Sequence, residues 1–190
     1  MRASLIASVL ALAISQVTAD YNQSAPFTII LLSQNSTLNG ASLAACHEGA
    51  AIEGLCLAGG KFGEATQFTY NTSSPDDKTG ILAYQLIGGN FNVSCPMQFS
   101  YSPSSNVAMP IIIPGTTSTL VGFDRIGRMF VMRYQDDTQP LPNNEETPQF
   151  RWYICQTYYG YPYQTLVWTV GIKAPQNPTC VSAQPVRVFV

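Results

Sequence analysis

Histidine and charged side chains are scarce in this sequence of 190 residues. There is one histidine, His47, and 11% of the residues are charged. A Ser-His-Asp catalytic triad or a Cys-His dyad could therefore use only His47 as its base. The sequence also contains no Gly-x-Ser-x-Gly motif. We interpret His47 as an exposed turn residue without a role in catalysis, and we assign no catalytic residue.

Long apolar runs are missing after the N-terminal segment, so we expect no membrane-spanning helix, which needs about 18 apolar residues. The N-terminus has Arg2, an apolar run over residues 5–17 and the small residues Thr18 and Ala19. This pattern is typical of a secretory signal peptide. We predict that residues 1–19 are a signal peptide and that residues 20–190 form one domain, secreted to the extracellular space or the cell wall.

Basic residues are also few. Without Arg2 of the expected signal peptide, eight basic residues stand against eleven acidic residues, a net charge of −3. Nothing in this balance attracts a phosphate backbone, so nucleic acid is not an expected partner. Uncharged polar side chains must keep the surface soluble.

The five cysteines are an odd number for an oxidising compartment. We predict disulfides between the near pairs, Cys46 with Cys56 and Cys155 with Cys180. Cys95 is then a buried free thiol that packs as a small apolar residue, with an intermolecular bridge as the alternative. Because zinc needs three or four ligands and the cysteines are committed to bridges, we expect no metal and no cofactor.

Four Asn-x-Ser/Thr sequons predict N-glycosylation on exposed segments. They begin at Asn22, Asn35, Asn71 and Asn92, whereas Asn177 is excluded by Pro178. Together with the signal peptide, they favour an extracellular glycoprotein.

Short apolar or alternating runs, separated by Gly, Pro, Asn and Ser, give about twelve candidate strands. We predict a single compact antiparallel all-β domain. Residues 41–59 are read as a hairpin closed by Cys46 and Cys56, with a helix over 41–52 as the rival. Three groups of four strands, within residues 27–71, 81–123 and 129–190, slightly favour a β-trefoil, and a β-sandwich is the alternative.

The most aromatic stretch, residues 150–171, contains both tryptophans and half of the tyrosines. Alternation places Trp152 and Trp168 on the core faces of two strands. Between the strands we expect a loop with the candidate binding residues Tyr158, Tyr159, Tyr161, Tyr163 and Gln164. Tyrosines in a loop either cover the end of the sheet or form a recognition surface for the apolar faces of sugars or for a protein partner.

Acidic pairs keep a second hypothesis open, because two carboxylates about 5–10 Å apart suffice for glycoside hydrolysis. The candidates are Glu48, Glu53, Asp76, Asp77, Asp124, Asp136 and Asp137. Most lie in loop-like stretches typical of solvated acids, and Asp124 is expected to pair with a neighbouring arginine, Arg125 or Arg128. The favoured function is a non-catalytic binding module for a glycan or an extracellular protein. The alternatives are a carboxylate-based glycosidase-like enzyme and a structural cell-wall protein.

Several short motifs resemble a family of small secreted proteins of filamentous ascomycete fungi that carry a domain of unknown function. The resemblance covers essentially the whole mature chain and rests on Phe27-Thr-Ile, Cys46-His47, Phe68-x-Tyr-Asn-Thr-Ser, Asp136-Asp-Thr, Arg151-Trp-Tyr-x-Cys, Leu166-x-Trp, Pro175-Gln-Asn-Pro-Thr-Cys and Arg187-Val-Phe-Val. It implies a fungal, extracellular context. It implies no activity and no catalytic residue, and Cys95 departs from its pattern.

Overall fold

The computed structural model describes residues 21–60, 63–134, 139–140 and 145–190. Within these ranges there is no helix, so none that is long and apolar enough to cross a membrane. Fifteen strands pair antiparallel and form one sheet that curls into a half-barrel. The predicted all-β class is confirmed. The expected signal peptide lies outside the described residues.

The strands are close to those predicted by the apolar runs, with three short additions. They are β1 (Asn22–Gln23), β2 (Phe27–Leu32), β3 (Leu43–Gly49), β4 (Ile52–Leu57), β5 (Phe68–Thr72), β6 (Gly80–Ile87), β7 (Asn92–Ser100), β8 (Val107–Ile112), β9 (Leu120–Phe123), β10 (Met129–Arg133), β11 (Thr147–Gln149), β12 (Trp152–Tyr158), β13 (Pro162–Thr169), β14 (Val181–Ser182) and β15 (Gln184–Phe189). The additions are β1, β11 and β14.

The strand order does not follow the threefold grouping on which the trefoil expectation rests. Along the main path the order is β11-β10-β9-β6-β7-β8-β4-β13-β12-β14. Strand β4 of the first group pairs with β8 of the second and β13 of the third. The strands form one continuous network, and neither three repeats nor the two separate sheets of a sandwich describe the pairing.

The interior of the curled sheet is organised around a cross-strand tryptophan pair. Trp152 and Trp168 lie opposite each other in β12 and β13, with ring centroids 5.0 Å apart at 69°. Phe99 of β7 stacks on Trp168 at 6.3 Å. The buried indole N–H of Trp152 donates to the carbonyl of Met129 at 2.9 Å. Aromatic pairs of this kind stabilise a protein beyond the area that they bury. Through their contacts with Phe99 and Met129, the two tryptophans connect three parts of the sheet.

Strand β13 is buried on both faces, which the alternation argument did not anticipate. Leu166 and Trp168 face the main core, but Thr165, Val167 and Thr169 are buried as well. Val167 belongs to a second cluster with Val107 and Cys155. The strand begins at Pro162 and ends at Thr169, so Val170 is exposed, as is Phe150 ahead of β12.

Both predicted disulfides are present. Cys46–Cys56 joins β3 to β4, whose pairing confirms the hairpin and excludes the rival helix. Cys155–Cys180 joins β12 to the turn before β14. Cys95 is a free cysteine, 1% exposed. Burial raises the pKa of its thiol, which agrees with an unreactive residue in the core.

The turn between β9 and β10 confirms the expected ion pair of Asp124. Its Oδ1 accepts from the backbone N–H of Ile126 at 3.1 Å and of Arg128 at 2.8 Å, and its Oδ2 accepts from the Arg128 guanidinium at 2.7 Å. Burial alone would raise the pKa of Asp124, but the hydrogen bonds from Arg128 and Ile126 outweigh burial and lower it.

We expect Asp124→Asn to lower the free energy of unfolding most near neutral pH. A lowered pKa in the folded state means that the carboxylate stabilises the protein above its unfolded pKa of about 3.9. That contribution is lost as the pH falls through the folded value. Urea unfolding of wild type and variant across the acid range measures the difference, which should shrink with falling pH.

Asp76→Asn is the matched control, because the exposed Asp76 carboxylate accepts no hydrogen bond from the described residues. The free energy of unfolding of Asp76→Asn should differ little from that of wild type across the whole acid range. An Asp124→Asn difference that stays constant with pH would contradict this account of the turn.

Candidate ligand-binding site

The tyrosine-rich stretch is the tip of the β12–β13 hairpin rather than a long loop. Tyr158 ends β12 and pairs with Pro162, the first residue of β13, so the turn consists of Tyr159, Gly160 and Tyr161. Tyr163 is a strand residue. The tyrosines are therefore held by paired backbone on both sides, which is a more rigid arrangement than the predicted loop.

Most of these tyrosines face solvent. Tyr158 is 73% exposed, Tyr161 45% and Tyr159 38%, while Tyr163 is half-buried. Tyr158, Tyr159 and Tyr161 are therefore not core residues. Of the two interpretations that the sequence left open, an exposed aromatic surface matches the structure better than a cover over the end of the sheet.

The exposed tyrosines do not form one surface but two. Tyr158 and Tyr159 line a groove of about 480 Å³ between the hairpin and the β7–β8 loop, which adds Tyr101. Tyr161 and Tyr163 lie elsewhere and stack on each other, with centroids 5.8 Å apart at 19°. We call the first surface, formed by Tyr101, Tyr158 and Tyr159, the tyrosine groove.

Polar groups accompany the aromatic rings of the tyrosine groove. Gln156, Ser100 and Ser102 line it. The side-chain amide of Gln156 forms no hydrogen bond with the described residues, so its donors and acceptor are available to a ligand. Gln164, the residue that the sequence argument favoured, pairs with Gln156 across the hairpin and is exposed, but it does not line this groove.

One carboxylate fixes the tip of the hairpin. Glu48 of β3 is 2% exposed, and its Oε2 accepts from the backbone N–H groups of Gly160 and Tyr161, each at 3.0 Å. These turn amides have no strand partner, and a buried N–H without an acceptor is costly. Bonds to a charged acceptor are stronger than neutral ones. We call this contact the Glu48 clamp.

The Glu48 clamp leaves no room for a side chain at the turn. A Cβ on Gly160 would lie 1.8 Å from the carbonyl oxygen of Glu48. On the other side, a Cβ on Gly54 would lie 3.2 Å from Glu48 Oε1, an oxygen that is buried without a hydrogen-bond partner in the structure. Close packing rather than a positive φ angle therefore requires glycine at position 160 and makes any side chain at position 54 tightly packed against Glu48.

Ligand atoms of Glu48, Cys46 and Cys56 lie within 4.8 Å of one another. Both sulfurs belong to the disulfide that closes the hairpin. A disulfide sulfur is not a thiolate and does not act as a metal ligand. The cluster is therefore a structural one.

His47 lies beside the second tyrosine pair. Its ring centroid is 5.9 Å from that of Tyr161, and its Nδ1 is 3.8 Å from the Glu53 carboxylate directly across the hairpin. Burial raises the pKa of Glu53, and His47 opposes part of that rise. His47 is thus a strand residue with an acidic neighbour, not the turn residue that the sequence suggested.

Acidic residues line a separate cleft of about 370 Å³. Asp76 and Asp77 lie on one side and Glu146 on the other, where Lys78 Nζ is 3.2 Å from its Oε2. All three acids are exposed. The pair Asp136 and Asp137 lies outside the described residues.

Three of the four sequon asparagines are exposed, namely Asn22, Asn35 and Asn92. Asn71 differs, because it lies in β5 between β1 and β6 and its Oδ1 is buried without a hydrogen-bond partner. The expectation that all four segments are exposed is wrong for Asn71.

The sequence argument missed Tyr101 and named Glu48 only as a candidate glycosidase acid, not as a support of the tyrosine turn. Tyr101 lies in a different hairpin from Tyr158, and no local pattern connects them. Glu48 did leave a signal, because it has the same strand parity as Cys46 and therefore the same buried face. An acid on a buried face needs a partner, and that partner is the tyrosine turn.

A family model described as "Domain of unknown function (DUF7907)" matches residues 24–189. The chain belongs to this family. The matched segment includes every strand from β2 to β15, and with them the tyrosine groove and the Glu48 clamp. Neither the curated proteins nor the solved structures yield a match to this DUF7907 chain.

We expect Gly160→Ala to destabilise the protein by about 1–3 kcal/mol, the usual cost of overpacking. The added methyl group meets the Glu48 carbonyl, so the turn must move and the two hydrogen bonds to the carboxylate must lengthen. Chemical unfolding measures the loss. Gly89→Ala is the matched control, since a Cβ at Gly89 meets nothing within 4 Å. Equal stability of the two variants would contradict the close contact.

Proposed function

We propose that this DUF7907 protein is a secreted, non-catalytic binding protein that holds a glycan in the tyrosine groove. One observation carries the proposal: Tyr101, Tyr158 and Tyr159 come from two hairpins and line the same groove, and all three remain exposed. The two disulfides and the resemblance to secreted fungal proteins favour an extracellular setting. A cell-wall polysaccharide is the ligand class that fits this setting.

The chemistry of the groove suits a sugar. The apolar C–H faces of a pyranose ring pack on tyrosine rings, whereas its hydroxyl groups need hydrogen-bond partners. Gln156 offers a free amide, and the exposed phenol groups add donors and acceptors. Among the described residues, those that line the groove include no charged side chain, which favours a neutral glycan.

The site is also preorganised. The Glu48 clamp fixes the turn below Tyr159, and the Cys155–Cys180 disulfide fixes the strand that leads to Tyr158. Asn177 also lines the groove, and its side-chain Nδ2 donates to the Gln156 carbonyl at 2.9 Å. A rigid site loses less conformational entropy on binding, so a shallow groove with few contacts can still bind.

The glycosidase alternative has weaker support. Of its candidate acids, Asp76 and Asp77 line a cleft together with Glu146, away from the tyrosine groove. Asp124 is paired with Arg128. Glu48 accepts from the turn amides, and Glu53 lies beside His47. A glycosidase needs a carboxylic acid that stays protonated near neutral pH, and burial provides this. The three acids of this cleft are exposed instead, and Glu146 is paired with Lys78. Burial does raise the pKa of Glu53, but the neighbouring Glu48 carboxylate is held by the amides of Gly160 and Tyr161. The geometry therefore favours binding over catalysis.

A glycan array followed by titration with the best-bound oligosaccharide tests the proposal. We expect Tyr158→Ala and Tyr101→Ala each to weaken binding by about three- to tenfold, the effect of losing one aromatic packing contact. Tyr161→Ala is the matched control, because it removes an exposed tyrosine of the same hairpin that does not line the groove.

Absence of binding to every glycan on the array would overturn the proposal. Binding that Tyr161→Ala weakens and Tyr158→Ala does not would place the site at the His47 side of the hairpin instead. Turnover of the bound oligosaccharide would overturn the non-catalytic assignment.

A further inference from the structure

A second groove lies between the β2–β3 connection and β14. It has a volume of about 630 Å³ and is lined by Leu32, Gln34, Asn35 and Asn39 from the β2–β3 connection and by Val181 and Ser182 of β14. Ser33 Oγ donates to the Ser182 carbonyl at 2.7 Å and holds the two walls together. Unlike the tyrosine groove, it contains a sequon asparagine. We call it the Asn35 groove.

Asn35 has the side-chain geometry of a modifiable sequon. Its Oδ1 accepts from the backbone N–H of Thr37 at 2.9 Å and from the Thr37 hydroxyl at 2.6 Å. Its Nδ2 donates to none of the described residues, and the side chain is exposed. The carboxamide is thus oriented by its own sequon hydroxyl, and its nitrogen is left free.

Two other asparagines, Asn177 and Asn71, lack this combination. Asn177 forms the same turn, with Oδ1 accepting from the N–H and the hydroxyl of Thr179. However, Pro178 breaks its sequon, and its Nδ2 donates to the Gln156 carbonyl. Asn71 is half-buried in β5, and its Oδ1 is buried.

We propose that Asn35 carries an N-linked glycan and that the first sugar of this glycan lies in the Asn35 groove. The glycan comes from a polyprenyl pyrophosphate oligosaccharide during export. A bond forms between Asn35 Nδ2 and C1 of the first sugar, the bond between C1 and the phosphate oxygen breaks, and the pyrophosphate leaves as Nδ2 loses one proton. The inference rests on the secretion proposed above but not on the tyrosine groove.

The lining of the Asn35 groove matches an N-acetylated sugar. Leu32 is 45% exposed and offers an apolar surface to the acetyl methyl group. Gln34 and Ser182 place amide and hydroxyl groups beside it for the sugar hydroxyls. The anchor atom is part of the groove wall, so the first sugar is held next to these groups without a separate binding step.

Attachment is tested by expressing the full chain in a eukaryotic secretory host and mapping its glycopeptides by mass spectrometry. We expect Asn35 to be occupied and Asn71 to be largely unmodified. Thr37→Ala should abolish the modification at Asn35, while the matched variant Thr37→Ser, which keeps the hydroxyl, should retain it. An unmodified Asn35 in secreted wild-type protein would overturn the proposal.

Seating in the groove needs a second measurement on the same glycoprotein. One sample is wild type trimmed by an endoglycosidase that leaves the first sugar. The other, the stripped sample, is Asn35→Gln trimmed in the same way, which lacks the sugar at this position only and avoids the conversion of Asn35 to Asp by an amidase. We expect the trimmed sample to melt about 2–4 °C higher and to exchange amide hydrogens more slowly over residues 32–39 than the stripped sample. Equal melting and equal exchange would overturn the seating of the first sugar.

Discussion

The Glu48 clamp is the contact on which the candidate site depends. A three-residue turn at the end of a long hairpin exposes backbone amides that no neighbouring strand satisfies. One buried carboxylate from β3 satisfies two of them and fixes Gly160 and Tyr161 against the β3–β4 hairpin. Because a charged acceptor binds amides strongly and its own burial is costly, neither partner is stable in this place without the other.

The rest of the fold supplies a stable base for that contact. Trp152 and Trp168 hold β12 and β13 in register, and Trp152 also bonds to Met129 across the interior. The Cys46–Cys56 disulfide closes the hairpin that carries Glu48. The tryptophan pair lies at the base of the β12–β13 hairpin, whereas the disulfide lies beside the clamp at its tip. Together they make the β12–β13 hairpin rigid, and the exposed tyrosines lie at its tip.

Local features of the sequence were sufficient for much of the fold. Alternation located nearly all strands, and the spacing of Cys46, Cys56, Cys155 and Cys180 was sufficient for both disulfides. Sequence order was a poor guide to assembly, because β4 pairs with β8 and β13, which are distant along the chain. Counting strands in fours suggested a trefoil, whereas only the pairing reveals one curled sheet.

The candidate site was predictable only in part, because local sequence features identify some of its residues and the fold brings in the others. Tyr158 and Tyr159 stand out as aromatics beside a glycine, and they do line a groove. Tyr101 joins them only through the fold. Tyr161 and Tyr163 are two residues apart, so alternation places them on the same face, where they stack. The role of Glu48 is non-local as well, since its partners in the turn belong to a different hairpin.

Amide hydrogen exchange at Gly160 and Tyr161 tests the central claim most directly. In wild type, both amides should exchange slowly for a turn at the end of a hairpin, because the Glu48 carboxylate binds them. In Glu48→Ala, these two amides should exchange much faster, while Glu53→Gln on the neighbouring strand leaves them unchanged. Slow exchange that persists at Gly160 and Tyr161 without the carboxylate would contradict the account.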